Sequence, residues 1–430
     1  MFLFIFVFVS FLTLFVLKKT SILSKVTHLL TIFITCFLVV YIIKYPEASF
    51  HAAKLGVDTW FNIVFPALLP FFIGAELLIG LGVVNFIGIL LEPIIKPIFN
   101  VPGEASFIFA MSVTSGYPIG VKLITQLRSK GAFSKVEAQR LLSFCSTSGP
   151  LFMIGAVAIG MFHNPQLGTN IALAHYLGVI MVGIVFRFYK FNKYQSFHKT
   201  KSSYIKRAFK ELFYSLQNNE TTFGSLLGTA VKNSIETLLV VGGFIILFSV
   251  IIRLLTIIGF IKTISYYLQH LLFFFKLDKG IYEALVSGIF EMTMGCKLLS
   301  EIDGISFIKQ AVLTTMIISW SGFSIHAQAA SLISKTDLST GTYIISKFLH
   351  ALFSGIFIFI TVPMTHTIFK HITTPVFSTY SQESLYLTWT SKILFSSELF
   401  ISMTLLVVTL SMVLHILFKL AYTFFHFYKK

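Results

Sequence analysis

Two carboxylates and two ammonium groups stand in apolar stretches of this sequence, and they pose the first chemical question. Glu76 lies within Phe71–Leu81 and Glu291 within Ile289–Gly295, while Lys122 and Lys297 follow short runs of small and hydroxyl residues. An ionised side chain at membrane depth costs roughly 2.5–3.5 kcal/mol on insertion scales, so each needs a partner. Buried carboxylates of this kind mark ion or proton pathways, which makes Glu76 an ion-coupling candidate. Their structural alternative is a hydrogen bond to an opened backbone. The lysine pair would suit a substrate carboxylate. Lys122, only six residues from Arg128, could equally snorkel to an interface, or either lysine could pair with Glu76 or Glu291.

Hydroxyl clusters form the second group. In Ser146-Thr-Ser148-Gly149-Pro150 the glycine and proline interrupt a helix, and the freed amides with nearby hydroxyls make a donor-rich half-helix end. The bland reading is a kink whose hydroxyls bond back to the preceding turn. Ser115 and Tyr117 occupy a similar Ser-Gly-Tyr-Pro break, and Ser319, Ser321, Ser324, His326 and Gln328 follow one another along a later segment. His326 could titrate near neutrality or donate a packing hydrogen bond. His175, His350 and Arg253 stand alone and are read as structural.

These residues repeat. Ser112–Leu123 aligns with Ser287–Leu298 at an offset of 175, with serine, glycine (Gly120, Gly295), lysine and leucine coinciding. Ser146–Gly149 aligns with Ser319–Gly322 at an offset of 173. Two motifs recurring in order at nearly constant spacing describe an internal duplication.

The elements that must hold them are membrane helices. Charged residues make up 12% of the 430, half the usual share, and apolar residues 56%, too few charges to solvate a soluble surface. Candidate segments are 1–17, 26–43, 61–90, 105–126, 141–162, 170–188, 234–260, 281–302, 307–333, 341–369 and 396–425. Met1–Leu17 lacks a basic start and a small-residue cleavage site and reads as an uncleaved span. Basic residues cluster after Phe186, at Lys18–Lys25, at Arg128–Arg140 and at the C-terminus, placing all four inside. Those placements agree only if 105–126 and 281–302 enter and leave on one side, as re-entrant segments. The cost is an outside 261–280 connection in which Lys262, Lys276 and Lys279 outweigh Asp278. The basic 127–140 loop contrasts with the acidic stretch at Glu301 and Asp303, which points to halves of opposite orientation. The expected fold is therefore an all-α polytopic helical bundle with inverted repeats, broken helices and two re-entrant segments. Its parts are spanning helices over 1–50, a first repeat over 51–188, a basic loop over 189–230, a second repeat over 231–335 and spanning helices over 336–430.

Several functions are disfavoured. The net charge of +16 sits between apolar segments rather than on a stripe, implying anionic lipid rather than nucleic acid. Cys36, Cys145 and Cys296 lack metal-ligand spacing, and no phosphate loop or nucleophile elbow occurs, so neither cofactor nor catalysis is expected. Asn219-Glu-Thr221 is a sequon in the inside loop and is discarded.

With these motifs in hand the chain resembles the YlbJ/SpoVV-type sporulation integral membrane proteins of endospore-forming bacteria. The resemblance rests on Phe65–Phe72 with Glu76–Leu78, Ser115–Gly120, Arg140–Phe152, His175-Tyr176 and Ser321–Gln328, within residues 60–330. It implies two nucleoside-recognition, or gate, domains of the kind shared with nucleoside transporters and ferrous-iron permeases. It further implies that dipicolinate, a small planar dianion, is moved from the mother cell across the outer forespore membrane. The expected site lies between the Ser146–Pro150 and Ser319–Gln328 breaks. A carrier of nucleosides or other small solutes, and a non-transporting scaffold for spore formation, stand as alternatives. Self-association and sporulation membrane partners are left open.

Overall fold

A computed structural model describes residues 21–190, 204–218, 222–275 and 277–369, so the expected spans 1–17 and 396–425, the sequon and most of the basic loop lie outside the described residues. The described residues through Ile368 cluster as one compact unit. The described residues form helices joined by turns, with no strand among them, and four helices are long and apolar enough to cross a membrane.

The helices fall into two matching series. After α1 (Ser21–Lys44), the first comprises α2 (Pro46–Gly80), α3 (Val83–Phe99), α4 (Ala105–Ser115), α5 (Ile119–Ser129), α6 (Lys135–Phe144), α7 (Phe152–Met161, π-helical) and α8 (Pro165–Phe186). A connecting helix, α9 (Tyr204–Asn218), leads to α10 (Phe223–Ile257), α11 (Phe260–Leu271), α12 (Lys279–Phe290), α13 (Met292–Ser300), α14 (Phe307–Trp320), α15 (Gly322–Ile333) and α16 (Thr340–Phe369). Helices α2 and α10 are each 35 residues long, and each ends at a two-residue turn with a left-handed glycine, Gly82 at φ 76° and Gly259 at φ 79°. Only glycine adopts that conformation without steric cost. The segment expected as one span over 61–90 is therefore divided at Gly82, and α3 leaves it in a new direction.

The inversion is visible in how α2 meets α10. Ser249 Oγ donates to the Ala52 carbonyl at 2.7 Å, Trp60 Nε1 donates to the Leu238 carbonyl at 2.9 Å, and Asn233 Nδ2 donates to Glu76 at 3.0 Å. Residue numbers rise along one helix as they fall along the other, so the equivalent helices run antiparallel. A Cβ on Gly56 would sit 2.9 Å from Ile246 Cα, so a small residue sets the closest approach.

Both expected re-entrant segments fold back on themselves. Seven residues of straight helix would separate Gly288 from Gly295 by about 10 Å. Instead a Cβ at Gly295 would overlap the Gly288 backbone, so α12 and α13 form a hairpin. In the first half a Cβ at Gly120 would approach Ser112 Oγ to 2.9 Å across the α4–α5 turn. Arg140, expected in an exposed loop, is buried and gathers helix ends instead. It donates to the Asn100 carbonyl at 2.8 Å and the Tyr189 carbonyl at 2.9 Å, so the ends of α3 and α8 lie on the same side as α6.

The 189–230 connection is also not simply a loop. Its α9 lies along α3, with an Arg207–Glu92 ion pair and a Phe86–Phe209 edge contact at 5.1 Å. It leaves Ile205 and Phe213 exposed beside Lys206 and Lys210, the pattern of a helix lying in a membrane interface.

Candidate functional site

Four helix interruptions meet in two pairs. In the first, Gly116 (φ 70°) precedes a cis Tyr117–Pro118 bond, and a Cβ on it would lie 2.7 Å from the Gly149 amide nitrogen. In the second, Ser321 (φ 79°) and Gly322 (φ 78°) are consecutive left-handed residues, and a Cβ on Gly322 would lie 3.0 Å from the Met292 nitrogen. The chain is extended at Glu291 (φ −148°, ψ 119°), between α12 and α13. Each pair thus joins a hairpin tip to a broken helix of its own half.

The freed backbone groups are largely satisfied from within. Ser112 Oγ donates to the Cys145 carbonyl at 2.5 Å, and Thr147 Oγ1 to the Ser112 carbonyl at 3.0 Å. Tyr176 OH donates to the Ser148 carbonyl at 3.1 Å, and the Ser148 amide donates to His175 Nε2 at 3.1 Å. Glu291 Oε2 accepts from the Met294 amide at 2.6 Å, capping α13 with its own carboxylate. The expected donor-rich end at 146–150 has therefore already spent much of its capacity on the protein.

Across the two halves runs a buried chain that sequence reading passed over. Lys347, in α16, is fully buried, and its Nζ lies 2.8 Å from Tyr117 OH, 2.8 Å from the Ser146 carbonyl and 3.2 Å from His350 Nδ1. Tyr117 OH accepts or donates at 2.6 Å with Ser321 Oγ, tying the first break to the fourth. His350 Nε2 donates to the His175 carbonyl at 3.0 Å, and His175 Nδ1 meets Ser319 Oγ at 2.8 Å. Neither histidine is the isolated packing residue expected, because their rings lie 4.4 Å apart at the junction of α8 and α16. Two signals were available. The histidines share the 175 offset of the first motif, and Lys347 is an ionisable residue inside the 341–369 span.

A cavity of about 60 Å³, room for roughly four waters, opens where the breaks meet. It brings together Ser115, Tyr117, Ser148, Gly149, Glu291, Ser324 and Gln328, with Phe72 and Phe244 from the long helices closing it. Ser115 Oγ and Ser324 Oγ are buried there without hydrogen-bond partners. Ser146, Ser319 and Ser321 sit one layer behind, bonded to the Lys347–His175 chain. Other expected members lie elsewhere. Lys122 is exposed on α5, Lys297 pairs with Glu301 at 3.1 Å, and Glu76 bonds Asn233 between α2 and α10. His326 is buried in a box of rings, 4.5 Å from Trp320 and 5.6 Å from Tyr343, with both nitrogens unpartnered. Among the described residues no group of three His, Cys, Asp or Glu side chains could hold a metal ion. Cys145 and Cys296 are free and buried.

Inverted repeats, two folded-back hairpins and two broken helices around one cavity define a multi-pass membrane protein of gate-type architecture. The family model for the Gate domain, described as nucleoside recognition, matches residues 61–165, which hold the first hairpin and the first broken helix. The sporulation integral membrane protein YlbJ of Bacillus subtilis is 43% identical over 339 residues, covering 78% of this chain and 83% of that protein. The chain belongs to this family of sporulation integral membrane proteins. A second relative, the uncharacterized protein BpOF4_10220 of Alkalihalophilus pseudofirmus, is 27% identical over 154 residues, 35% of this chain and 32% of its own. No solved structure matches the chain.

Proposed function

We propose that the chain is a secondary transporter that carries a small polar solute through the cavity between its two halves during sporulation. One observation carries the reading: four helix interruptions from two inverted repeats converge on one cavity whose walls are mainly apolar but carry unpartnered hydroxyls at Ser115 and Ser324. Irregular backbone at membrane depth is tolerated where it lines such a cavity. Pockets that bury a drug-sized ligand measure about 300–1,000 Å³, so this cavity must widen as one half moves against the other.

Dipicolinate, crossing the outer forespore membrane, is the solute we propose, from the resemblance. Its carboxylates would meet the unpartnered hydroxyls of Ser115 and Ser324. Glu291 on the same wall opposes a second anion, which favours carriage as a partly protonated species. A nucleoside is the second reading, favoured by the Gate match and by Glu291 and Gln328, which suit a neutral hydrogen-bonding ring.

The test is exchange of labelled dipicolinate and labelled uridine by the full chain in proteoliposomes. Ser324→Leu, which fills the cavity, should abolish exchange of the carried solute while the protein stays monodisperse. Undiminished exchange would sink the proposal, and the preferred label separates the two readings.

A further inference from the structure

We infer that Lys347 is a proton-binding site whose occupancy is read out at the cavity through Tyr117, so that the proton is the coupling ion; this rests on the transporter reading. Among the described residues, no carboxylate lies within ion-pairing distance of Lys347. A fully buried ammonium with no counter-charge is costly in a membrane-spanning helix, and the surroundings of Lys347 are suited to both the charged and the neutral form.

The partners fix which protons can move. The Ser148 amide can only donate, so His175 Nε2 accepts and its ring proton lies on Nδ1, toward Ser319. The His175 carbonyl can only accept, so His350 carries its proton on Nε2 and offers Nδ1 as an acceptor to Lys347. Two of the three Lys347 contacts, the Ser146 carbonyl and His350 Nδ1, are therefore acceptors in either state. The third is a hydroxyl that can turn. With a neutral amine, Tyr117 OH donates to the Nζ lone pair and accepts from Ser321. When a proton arrives on that lone pair, the ammonium donates to Tyr117 OH, which turns its own proton to Ser321 Oγ, and Ser321 turns toward the Ile318 carbonyl. Charge on Lys347 thus reverses the hydroxyl of a residue that lines the solute cavity.

The titratable groups facing this site are few. Tyr343 and His350 share its helix, His175 and Tyr176 face it from α8, Tyr117 from the first break and His326 from α15. Glu291 stands on the cavity wall, with its carboxylate engaged at Met294.

The experiment loads wild-type proteoliposomes with a pH dye and applies an inward solute gradient, using dipicolinate and uridine in turn. Proton movement accompanying solute is expected, and an imposed pH gradient should drive accumulation. In Lys347→Arg, which keeps its proton, the proton signal per solute moved should fall by about tenfold or more, within ordinary coupling strengths. Solute movement indifferent to pH in the wild type, or an unchanged proton ratio in Lys347→Arg, would overturn the inference and leave the transporter reading standing. Movement of neither solute by wild type would overturn both. A second readout needs no transport: the thermal midpoint should vary with pH near this group's titration in wild type and flatten in Lys347→Met. An unchanged profile there would also overturn it.

Discussion

The two halves share a backbone but not a charge. Hairpin for hairpin and break for break, α2–α8 and α10–α16 follow the same order, even to the left-handed glycines Gly82 and Gly259. Yet at the offset of 175 that matches His175 to His350, Lys347 corresponds to Ala172 and Tyr343 to Gly168. The first half answers with Tyr117, whose partner position in the second half is Met292. Duplication supplied the shape of the site twice, and each half then contributed different chemistry to the shared centre. The walls of the cavity are thus matched between the halves while its polar contents are not.

The largest expected effects test the sameness. A Cβ at Gly120 would collide with the Cys145 carbonyl, and one at Gly295 with the Gly288 backbone, so backbone rather than flexible side chain must yield in both halves. Gly120→Ala and Gly295→Ala should each cost about 3 kcal/mol or more, the upper range of overpacking, read as lowered thermal midpoints in detergent. A large loss in one and none in the other would break the equivalence of the hairpins. The broken helices should differ instead. Gly322 has positive φ and a close neighbour, whereas a Cβ at Gly149 would meet nothing nearer than 3.7 Å. Gly322→Ala should cost about 1–3 kcal/mol and Gly149→Ala far less.

The next prediction tests the difference. Tyr117→Phe removes the one hydroxyl that both Lys347 and Ser321 use, leaving buried donors unmet at a cost of about 1–3 kcal/mol. Ser321→Ala removes the 2.6 Å bond to Tyr117 and two long contacts to the Ile318 and Ser319 carbonyls and should cost about 1 kcal/mol, while Ser148→Ala leaves its own backbone contacts to His175 and Tyr176 intact. Equal losses at the matched serines would mean that the asymmetry around Lys347 has no energetic weight.

Much of the shape was legible because glycine, proline and serine in a hydrophobic chain have local consequences. Gly116, Gly149 and Gly322 each sit where the backbone must turn or touch, and the breaks announced themselves. Helix ends were less legible. Helices α2 and α10 begin well before the expected 61 and 234, through stretches where Glu47, Lys54 and Asp58, and Lys232, interrupt the apolar run. A helix of 35 residues is about 52 Å long and outruns a bilayer core of about 30 Å, so its ends can carry charge in water. Glu291 reaches the cavity as expected, whereas the two lysines lie away from it for a related reason. Lys122 and Lys297 repeat at the motif spacing, but repetition reports position along a helix and not which face it presents. Lys347 has no counterpart in the first half, so a search for repeats could not find it.

The smallest effect lies at the rim, where the halves again differ. Arg128 donates to both carboxylate oxygens of Asp337 at 3.0 Å, and Gln139 holds Ser339 by two hydrogen bonds, latching the α5–α6 turn to the α15–α16 turn. The Arg128 guanidinium holds the Asp337 carboxyl down to about 2, below the usual range near 4. With the folded value depressed, the pair's contribution is complete above about pH 4 and is lost as pH falls toward 2. At the matching turn of the other half, Asp303 stands at the position of Arg128, and no ion pair joins it to another described residue. Asp337→Asn should therefore lower the thermal midpoint slightly at neutral pH, less so in high salt, while Asp303→Asn leaves it unchanged. Exposed pairs contribute little to stability, so the more telling readout is access. If this latch closes one side of the cavity, cysteines placed at Ser115 and Ser324 should become more reactive to a membrane-impermeant reagent from that side in Asp337→Asn. Equal reactivity with and without the ion pair would reduce the latch to a surface contact.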